Sequence, residues 1–312
     1  MARFIFSRLL QAILVLFCIL TITFILARLA PGNPFQSDRA IPAHVMAKME
    51  AYYGRDKPVL VQYAKQMWHF ATLDLGPSFG NKGFTVNDVI AMSFPVSFMI
   101  GCAGLVFALA IGIPIGILSA VRRNTGVDYS LMGLALIGIC LPTFVIGPFL
   151  SIVIGIKLNW LPALGWETPS VNWILPGLTL GLFYGAYFAR LTRAGMLETL
   201  SQDYIRTARS KGLSETRVIL IHAVKGGLVP VVGYIGPAVA ALIGGSFVME
   251  SVFQLPGLGT HFIRAVTNRD TPLLLGCVAT FGVLILTTNL LSDILLAWLN
   301  PRQRSTSTNA GA

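Results

Sequence analysis

Charge is scarce along this chain. Only 12% of its 312 residues are Asp, Glu, Lys or Arg, against 54% hydrophobic, whereas soluble domains carry about 25% charged side chains. So small a polar complement cannot cover a water-soluble body of this size, and a mean hydropathy of +0.72 agrees. A soluble enzyme or binding module is excluded, and an integral membrane protein remains. Acidic residues are scarcer still, 13 against 23 basic, for a net charge of +10. The surplus Lys and Arg adjoin apolar runs instead of forming a solvated patch, so they orient the chain in a bilayer and do not point to nucleic acid. Cysteine is limited to Cys18, Cys102, Cys140 and Cys277, all inside apolar runs and none in C-x-x-C spacing, which argues against disulfides and zinc. His44, His69, His222 and His261 form no H-x-x-x-H pair, and no phosphate-binding loop, dinucleotide fingerprint or nucleophile–base motif occurs. The residues give no sign of catalysis, of a metal site or of a cofactor held by this chain.

What is abundant is apolar sequence in membrane-sized pieces. Arg3 and Arg8 precede a run from Leu9 to Ala27, near the ~20 residues that span a bilayer. A signal peptidase cut after Ala30 would meet Arg28 and Pro31, so an uncleaved span is predicted. Five more follow: Val96–Val121, Ser130–Lys157, Trp173–Arg190, Leu228–Met249 and Leu274–Leu299. The fold class is therefore an all-α integral membrane protein of six transmembrane helices. Its parts are an N-terminal helix (1–30), an extracytoplasmic insertion (31–95), a five-helix body (96–300) and a tail (301–312) predicted to be disordered from Ser305 onward. Within the insertion, Ala43–Gly54 and Pro58–Leu73 each suit a short amphipathic helix. Arg3, Arg8, Arg122, Arg123, Arg302 and Arg304 fall on one side of this topology, which places both termini in the cytoplasm, while 158–172 has no Lys or Arg and belongs outside.

The longest polar interruption runs from Leu191 to Gly227. Arg190, Arg193, Arg206, Arg209, Lys211, Arg217 and Lys225 lie in it or at its edge, beside only Glu198, Asp203 and Glu215, so it stays cytoplasmic. On a 3.6-residue period Leu197, Leu200, Tyr204 and Ala208 share one side. Gly212 then ends that helix where a left-handed residue is commonly required, and Ser214 can cap a second helix through Val218–Ile221. The residues alone leave two readings open, a solvated loop and a rigid protrusion that a soluble partner grips.

Within the spans small residues recur every fourth position: Ala108, Gly112, Gly116 and Ala120; Gly177, Gly181, Gly185 and Ala189; Gly236, Ala240 and Gly244. Such faces let helix backbones approach closely in lipid. Pro114, Pro142, Pro148, Pro176 and Pro237 lie in or at the ends of spans and are predicted to bend them. Asp293 falls at membrane depth, where an isolated carboxylate is expensive; a structural pair with Arg190 or Arg193 is expected. Glu250 ends the fifth span just before Phe253–Gly259, which cannot continue as a helix through Pro256, Gly257 and Gly259. That segment folds back as an outer gate or cavity wall on this reading.

Several stretches resemble one family. Arg206-Thr207-Ala208 followed after three residues by Gly212-Leu213 is similar to the cytoplasmic loop of ABC-transporter permease subunits, in the variant of the peptide and nickel importers. Arg206 stands where many relatives of other branches carry glutamate. Leu29-Ala30-Pro31-Gly32-Asn33-Pro34-Phe35, Val86-Asn87-Asp88-Val89, Ser93-Phe94-Pro95-Val96-Ser97, Pro256-Gly257-Leu258-Gly259, Asn268-Arg269-Asp270, Asn289-Leu290-x-x-Asp293 and Asn300-Pro301-Arg302 complete the pattern. The resemblance covers nearly the whole chain and points to the oligopeptide/dipeptide importer family, closest to its oligopeptide branch. It implies a type I ABC importer permease fold in the bacterial inner membrane. It implies as partners a homologous second permease subunit (OppC type), two cytoplasmic ATPases that hold the ATP and Mg, an extracytoplasmic peptide-binding protein, peptide substrate and membrane lipid. It also implies that Tyr204, Ile205, Arg206, Thr207, Ala208, Lys211, Gly212 and Leu213 form the ATPase-coupling loop, within about 191–227. Dipeptide, nickel or murein-peptide cargo is the alternative inside the family. An ion-driven secondary transporter is the alternative outside it, and would show inverted repeats and several midplane charges.

Overall fold

The computed structural model describes residues 2–29, 52–53, 57–80 and 83–299. Outside them lie the Pro31–Phe35 motif, most of the predicted helix 43–54, the Asn300–Arg302 motif and the tail. In chain order the elements are α1 (Ala2–Leu29), α2 (Val59–Thr72), α3 (Val86–Val121), α4 (Gly126–Cys140), α5 (Thr143–Leu150, continuing as a π-helical Ser151–Lys157), α6 (Ile174–Leu200), α7 (Asp203–Ser210) and α8 (Glu215–Arg217). A π-helical Val218–Ala223 then leads into α9 (Val224–Gly227), followed by α10 (Val229–Val252), α11 (Leu258–Thr267) and α12 (Thr271–Leu299). Phe6–Leu29, α3, α6, α10 and Thr271–Leu295 are each long and apolar enough to cross a membrane.

The remaining predicted span, Ser130–Lys157, is a broken one. α4 and the helix Thr143–Lys157 meet at 100°. Pro142 disfavours the helical region for the residue before it, and Leu141 accordingly lies at φ −79°, ψ 122°. Pro114, Pro148 and Pro237 sit inside unbroken helices, so only Pro142 among the apolar-run prolines divides one. α3 begins at Val86, ten residues before the predicted span, so Val86–Pro95 is helical and continuous with that span. Thr85 and Asp88 form a reciprocal cap there: Asp88 N donates to Thr85 Oγ1 (3.1 Å) and Thr85 N donates to Asp88 Oδ2 (2.9 Å).

The chain forms two compact units. The first joins Met1–Phe98 to Leu255–Leu286. Val86, Val89, Leu258, Ala265, Leu273 and Cys277 make its buried core. Tyr63 of α2 bonds Thr21 of α1 (2.7 Å) and meets Phe24 edge-on. Asp270, just before α12, accepts from Leu273 N (3.2 Å), Gly80 N (2.8 Å) and Ser78 Oγ (2.5 Å), capping the helix and tying down the 78–80 turn. Asn87 does the same for the preceding turn, accepting from Leu75 N and donating to Leu73 O. Residues of the Val86–Val89 and Asn268–Asp270 motifs are thus structural clips.

The second unit joins Met99–Gln254 to Thr287–Ala312, and α3 against α6 is its spine. A Cβ on Gly116 would sit 2.5 Å from Ala189 O and from Thr192 Cβ, one on Gly112 2.8 Å from Phe188 Cβ, and one on Gly185 3.3 Å from Ala108 O. The first two small-residue faces are therefore one interlocked seam. Of the third, Gly236 meets Ser292 and Thr288 of α12, while Gly244 faces open space. Phe188, Ala108, Val231 and Ala238 close a core beside the seam. The loop before α6 is pinned through Asn172, which accepts from Thr168 N (2.9 Å) and donates to Gly165 O (2.8 Å).

Because the seam leaves no room for a side chain, Gly116→Val should overpack it and cost about 1–3 kcal/mol. Gly133→Ala in α4, where nothing lies within 4 Å, should be neutral or stabilising. Melting of the two purified variants, tryptophan fluorescence against temperature, checks the contrast; equal midpoints would contradict the seam.

Candidate functional site: a helical loop and its base

The polar stretch 191–227 is mostly helix. α6 runs ten residues beyond the predicted span end, to Leu200. A break at Ser201–Gln202 then resets the helical phase before α7. For that reason the predicted stripe is displaced. Ile205 and Ala208 are buried, whereas Tyr204 is 49% exposed, because a new helix need not continue the register of the old one. Ile205 and Ala208 close a core with Met196, Val218, Ala223 and Ala120, and Leu197, Leu200 and Leu213 flank it. α7 is thereby fastened to the ends of α3 and α6 by its apolar face. Arg206, Thr207, Lys211 and Gly212 remain exposed.

Gly212 ends α7 as its sequence position requires. Its φ is +76°, and its N–H donates to Arg209 O (2.9 Å). Nothing lies within 4 Å of where a Cβ would be, so the demand for glycine here is conformational and not steric. Across the turn Arg209 grips Glu215 in a fork, Nη2–Oε1 2.6 Å and Nε–Oε2 3.1 Å, and the guanidinium holds the Glu215 carboxyl below the usual carboxylate range. Arg206 and Asp203 pair loosely at 3.6 Å on the surface, a contact of little worth. Ser214 occupies the position before α8 but makes no side-chain cap; the Arg209–Glu215 fork and Ser214 O, which accepts from Val218 N (3.0 Å), organise this corner. The helix through Val218–Ile221 exists, as a π-helical segment. Behind the loop, α6 and α9 approach at glycines. Gly195 faces the Gly227 carbonyl, and a Cβ on Gly226 would lie 3.0 Å from Thr199 Cγ2 and 3.1 Å from the Tyr204 hydroxyl.

The membrane-depth charges differ from expectation. Arg193 pairs with Asp128 and not with Asp293: Nε–Oδ1 2.8 Å and Nη2–Oδ2 2.7 Å. Ser119 Oγ and Asn124 N also donate to this nearly buried carboxylate, so the pair is fully hydrogen-bonded. Arg190 is exposed and makes no ion pair among the described residues; Asp293 is half-buried in α12. Hydropathy starts the third span at Ser130 and so misses Asp128, although an acidic residue in the first helical turn before an apolar run is a recognisable signal. The gate candidates fall in separate units. Glu250 lies inside α10, completely buried, with the Ser246 hydroxyl 2.7 Å away. Pro256 and Gly257 form the turn before α11, whereas Gly259 is already helical. Leu258 N donates to Ser97 Oγ (2.8 Å), anchoring α11 on α3. Among the described residues no group of three His, Cys, Asp or Glu could hold a metal.

Removing one partner of a buried pair leaves an uncompensated charge, at a cost of about 3–5 kcal/mol. Arg193→Met should therefore destabilise the protein strongly, and Asp128→Asn on the same background should recover much of that loss. Thermal melting of the single and double variants measures the coupling; additive losses would contradict a direct pair.

Comparison with known proteins places this architecture. The family described as binding-protein-dependent transport system inner membrane component matches residues 112–305, and its N-terminal counterpart matches residues 1–100. The oligopeptide transport system permease protein OppB of Salmonella typhimurium is 43% identical, over 97% of this chain and 100% of that protein. OppB of Haemophilus influenzae is 44% identical over the same shares. The dipeptide transport system permease protein DppB of Bacillus subtilis is 37% identical over 97% and 98%. The inward-facing MetNI methionine ABC transporter shares the fold, with a TM-score of 0.56 at 17% identity, over 68% of this chain and 96% of that one. Among the described residues, a helical body with five long spans and one broken span fits the type I ABC importer permease fold. The chain belongs to the inner-membrane components of binding-protein-dependent transport systems.

Proposed function

We propose that this chain is the permease subunit of an ATP-driven importer of oligopeptides in the bacterial inner membrane, forming half of the translocation pathway. The likeness to oligopeptide permeases along nearly the whole chain carries this reading. The subunit pairs with a homologous permease, receives peptide from an extracytoplasmic binding protein and is driven by two cytoplasmic ATPases that hold the ATP and Mg. It does no chemistry itself. Both termini lie in the cytoplasm and the segment between the first two spans lies outside, a topology supported by the Lys and Arg distribution.

α7 is the lever. Its buried Ile205 and Ala208 make it continuous with the ends of α3 and α6, while Tyr204, Arg206, Thr207 and Lys211 face outward for an ATPase to hold. ATP shifts the permease between inward- and outward-facing arrangements only if the ATPases contact the two differently, and a stiff, apolar-keyed helix transmits that difference.

Transport in a strain lacking its own peptide permeases, supplied with this subunit and its cognate partners, tests the cargo. Uptake of a labelled tripeptide should be inhibited by a pentapeptide. Inhibition by dipeptides alone would move the assignment to the dipeptide branch, in line with the DppB relative, and no peptide uptake would refute it. Gly212→Val tests the lever. A branched residue reaches positive φ at a cost of about 1–2 kcal/mol, and since the space beside Gly212 is open, any defect traces to backbone geometry. Membrane abundance should stay normal while ATPase co-purification and uptake fall. Wild-type coupling at matched abundance would rule against the lever.

A further inference from the structure

The extracytoplasmic end of α1 carries a cavity that neither the lever nor the spans account for. Its volume is about 640 Å³, within the ~300–1,000 Å³ of small-molecule sites, and its lining lies within the first unit. Among the described residues, every charged or orphaned group on its wall is a hydrogen-bond donor. Arg28 of α1 and Arg269, between α11 and α12, both line it, and none of its described lining residues is acidic. Arg28 is oriented by Gln62, which accepts from its Nη1 (2.7 Å) and itself donates to Lys57 O (2.7 Å). Gln66 is 7% exposed, lines the cavity and presents an Nε2 with no acceptor. A buried donor left unmade is costly. Asp270 is not among the cavity's described lining residues and takes Ser78, Gly80 and Leu273 instead. Arg269 itself stands at the left-handed position that ends α11, φ +55°, with its N–H donating to Val266 O (3.3 Å).

Two guanidiniums and an orphan amide converge on an anion rich in acceptor oxygens, and phosphate matches arginine best. The rest of the described wall mixes the polar Thr23, Tyr53, Gln62 and Thr271 with apolar side chains, Phe24, Leu26, Val266 and Leu274 among them, and the cavity far exceeds a bare phosphate. Arg28 sits one residue before the end of a membrane-length helix whose adjoining Ile25, Leu26 and Leu29 are exposed, which is the headgroup level of a bilayer. We propose that this cavity binds the phosphate of an anionic phospholipid. Arg28, Arg269 and Gln66 Nε2 donate to the phosphate, and the glycerol and first acyl carbons lie along Phe24, Leu26 and Leu274. The site belongs to the first unit and α7 to the second, so the lipid acts on the first unit, fastening α1 and α2 to the start of α12.

Native mass spectrometry on the full-length chain, in the complex with which it purifies, tests this after delipidation and titration with phosphatidylglycerol or phosphatidylcholine. One tight equivalent of phosphatidylglycerol should bind, about tenfold or more tighter than phosphatidylcholine. Arg28→Gln with Arg269→Gln should remove that equivalent, weakening it about tenfold or more, and Gln66→Leu should weaken it less. Equal affinity for the two lipids, or an unchanged tight equivalent in the double variant, would overturn the proposal. Displacement of the lipid by millimolar inorganic phosphate would identify free phosphate as the ligand and overturn the lipid assignment. If the double variant fails to accumulate, Arg28→Lys with Arg269→Lys replaces it. Charge is kept but the fork is lost, so weaker phosphatidylglycerol binding with phosphatidylcholine unchanged is expected, and unchanged binding counts against the site.

Discussion

Close approach of α3 and α6 is the constraint on which the second unit depends. In lipid no hydrophobic effect drives one helix against another, so van der Waals contact and hydrogen bonding must hold the bundle together. Ala108, Gly112 and Gly116 on α3 meet Gly181, Gly185 and Ala189 on α6 with backbone almost touching backbone. The seam fixes where the α6 axis runs. Since α6 continues beyond the apolar stretch to Leu200, it also fixes where the loop is delivered. A side chain at Gly116 would therefore push α3 and α6 apart and displace the base of the loop with them.

Polar groups supply what the seam lacks, which is directional registry. Asp128, taken by Arg193, Ser119 and Asn124, ties the start of α4 to both seam helices. Asp270 and Asn87 tie turns of the first unit to helix N-termini. Both buried carboxylates among these, Asp128 and Asp270, are hydrogen-bonded, the condition under which a buried charge is tolerated. Asn87 and Asp270 mark positions where a sequence motif of the family coincides with a structural clip, so conservation of such residues would not by itself signal contact with cargo.

The loop then has two faces with separate duties. Ile205 and Ala208 secure it to the membrane body by burial, worth about 1.5–3 kcal/mol for a side chain the size of Ile205. The Arg209–Glu215 fork and the left-handed Gly212 set its outline. The exposed basic face contributes little to holding the loop in place. Rigidity on one side and exposed basic side chains on the other are what the coupling role proposed above requires.

Membrane residence, the apolar runs, the small-residue faces and the glycine that ends α7 were all legible in the sequence, because hydropathy, four-residue spacing and φ preference are local properties. Its motifs also sufficed to place the chain in a family. The remainder came from packing between elements distant in the chain. The third span broke at Leu141–Pro142 through a bend of 100°, which an apolar count cannot register. The buried residue of α7 became Ile205 instead of Tyr204, since the break at Ser201–Gln202 let packing against Met196 and Val218 choose a new phase. Arg193 took Asp128 over Asp293 because the seam brings α4, and not α12, to its guanidinium. The cavity at Arg28, Gln66 and Arg269 unites residues some two hundred positions apart, a convergence made only when α11 and α12 fold back on the start of the chain.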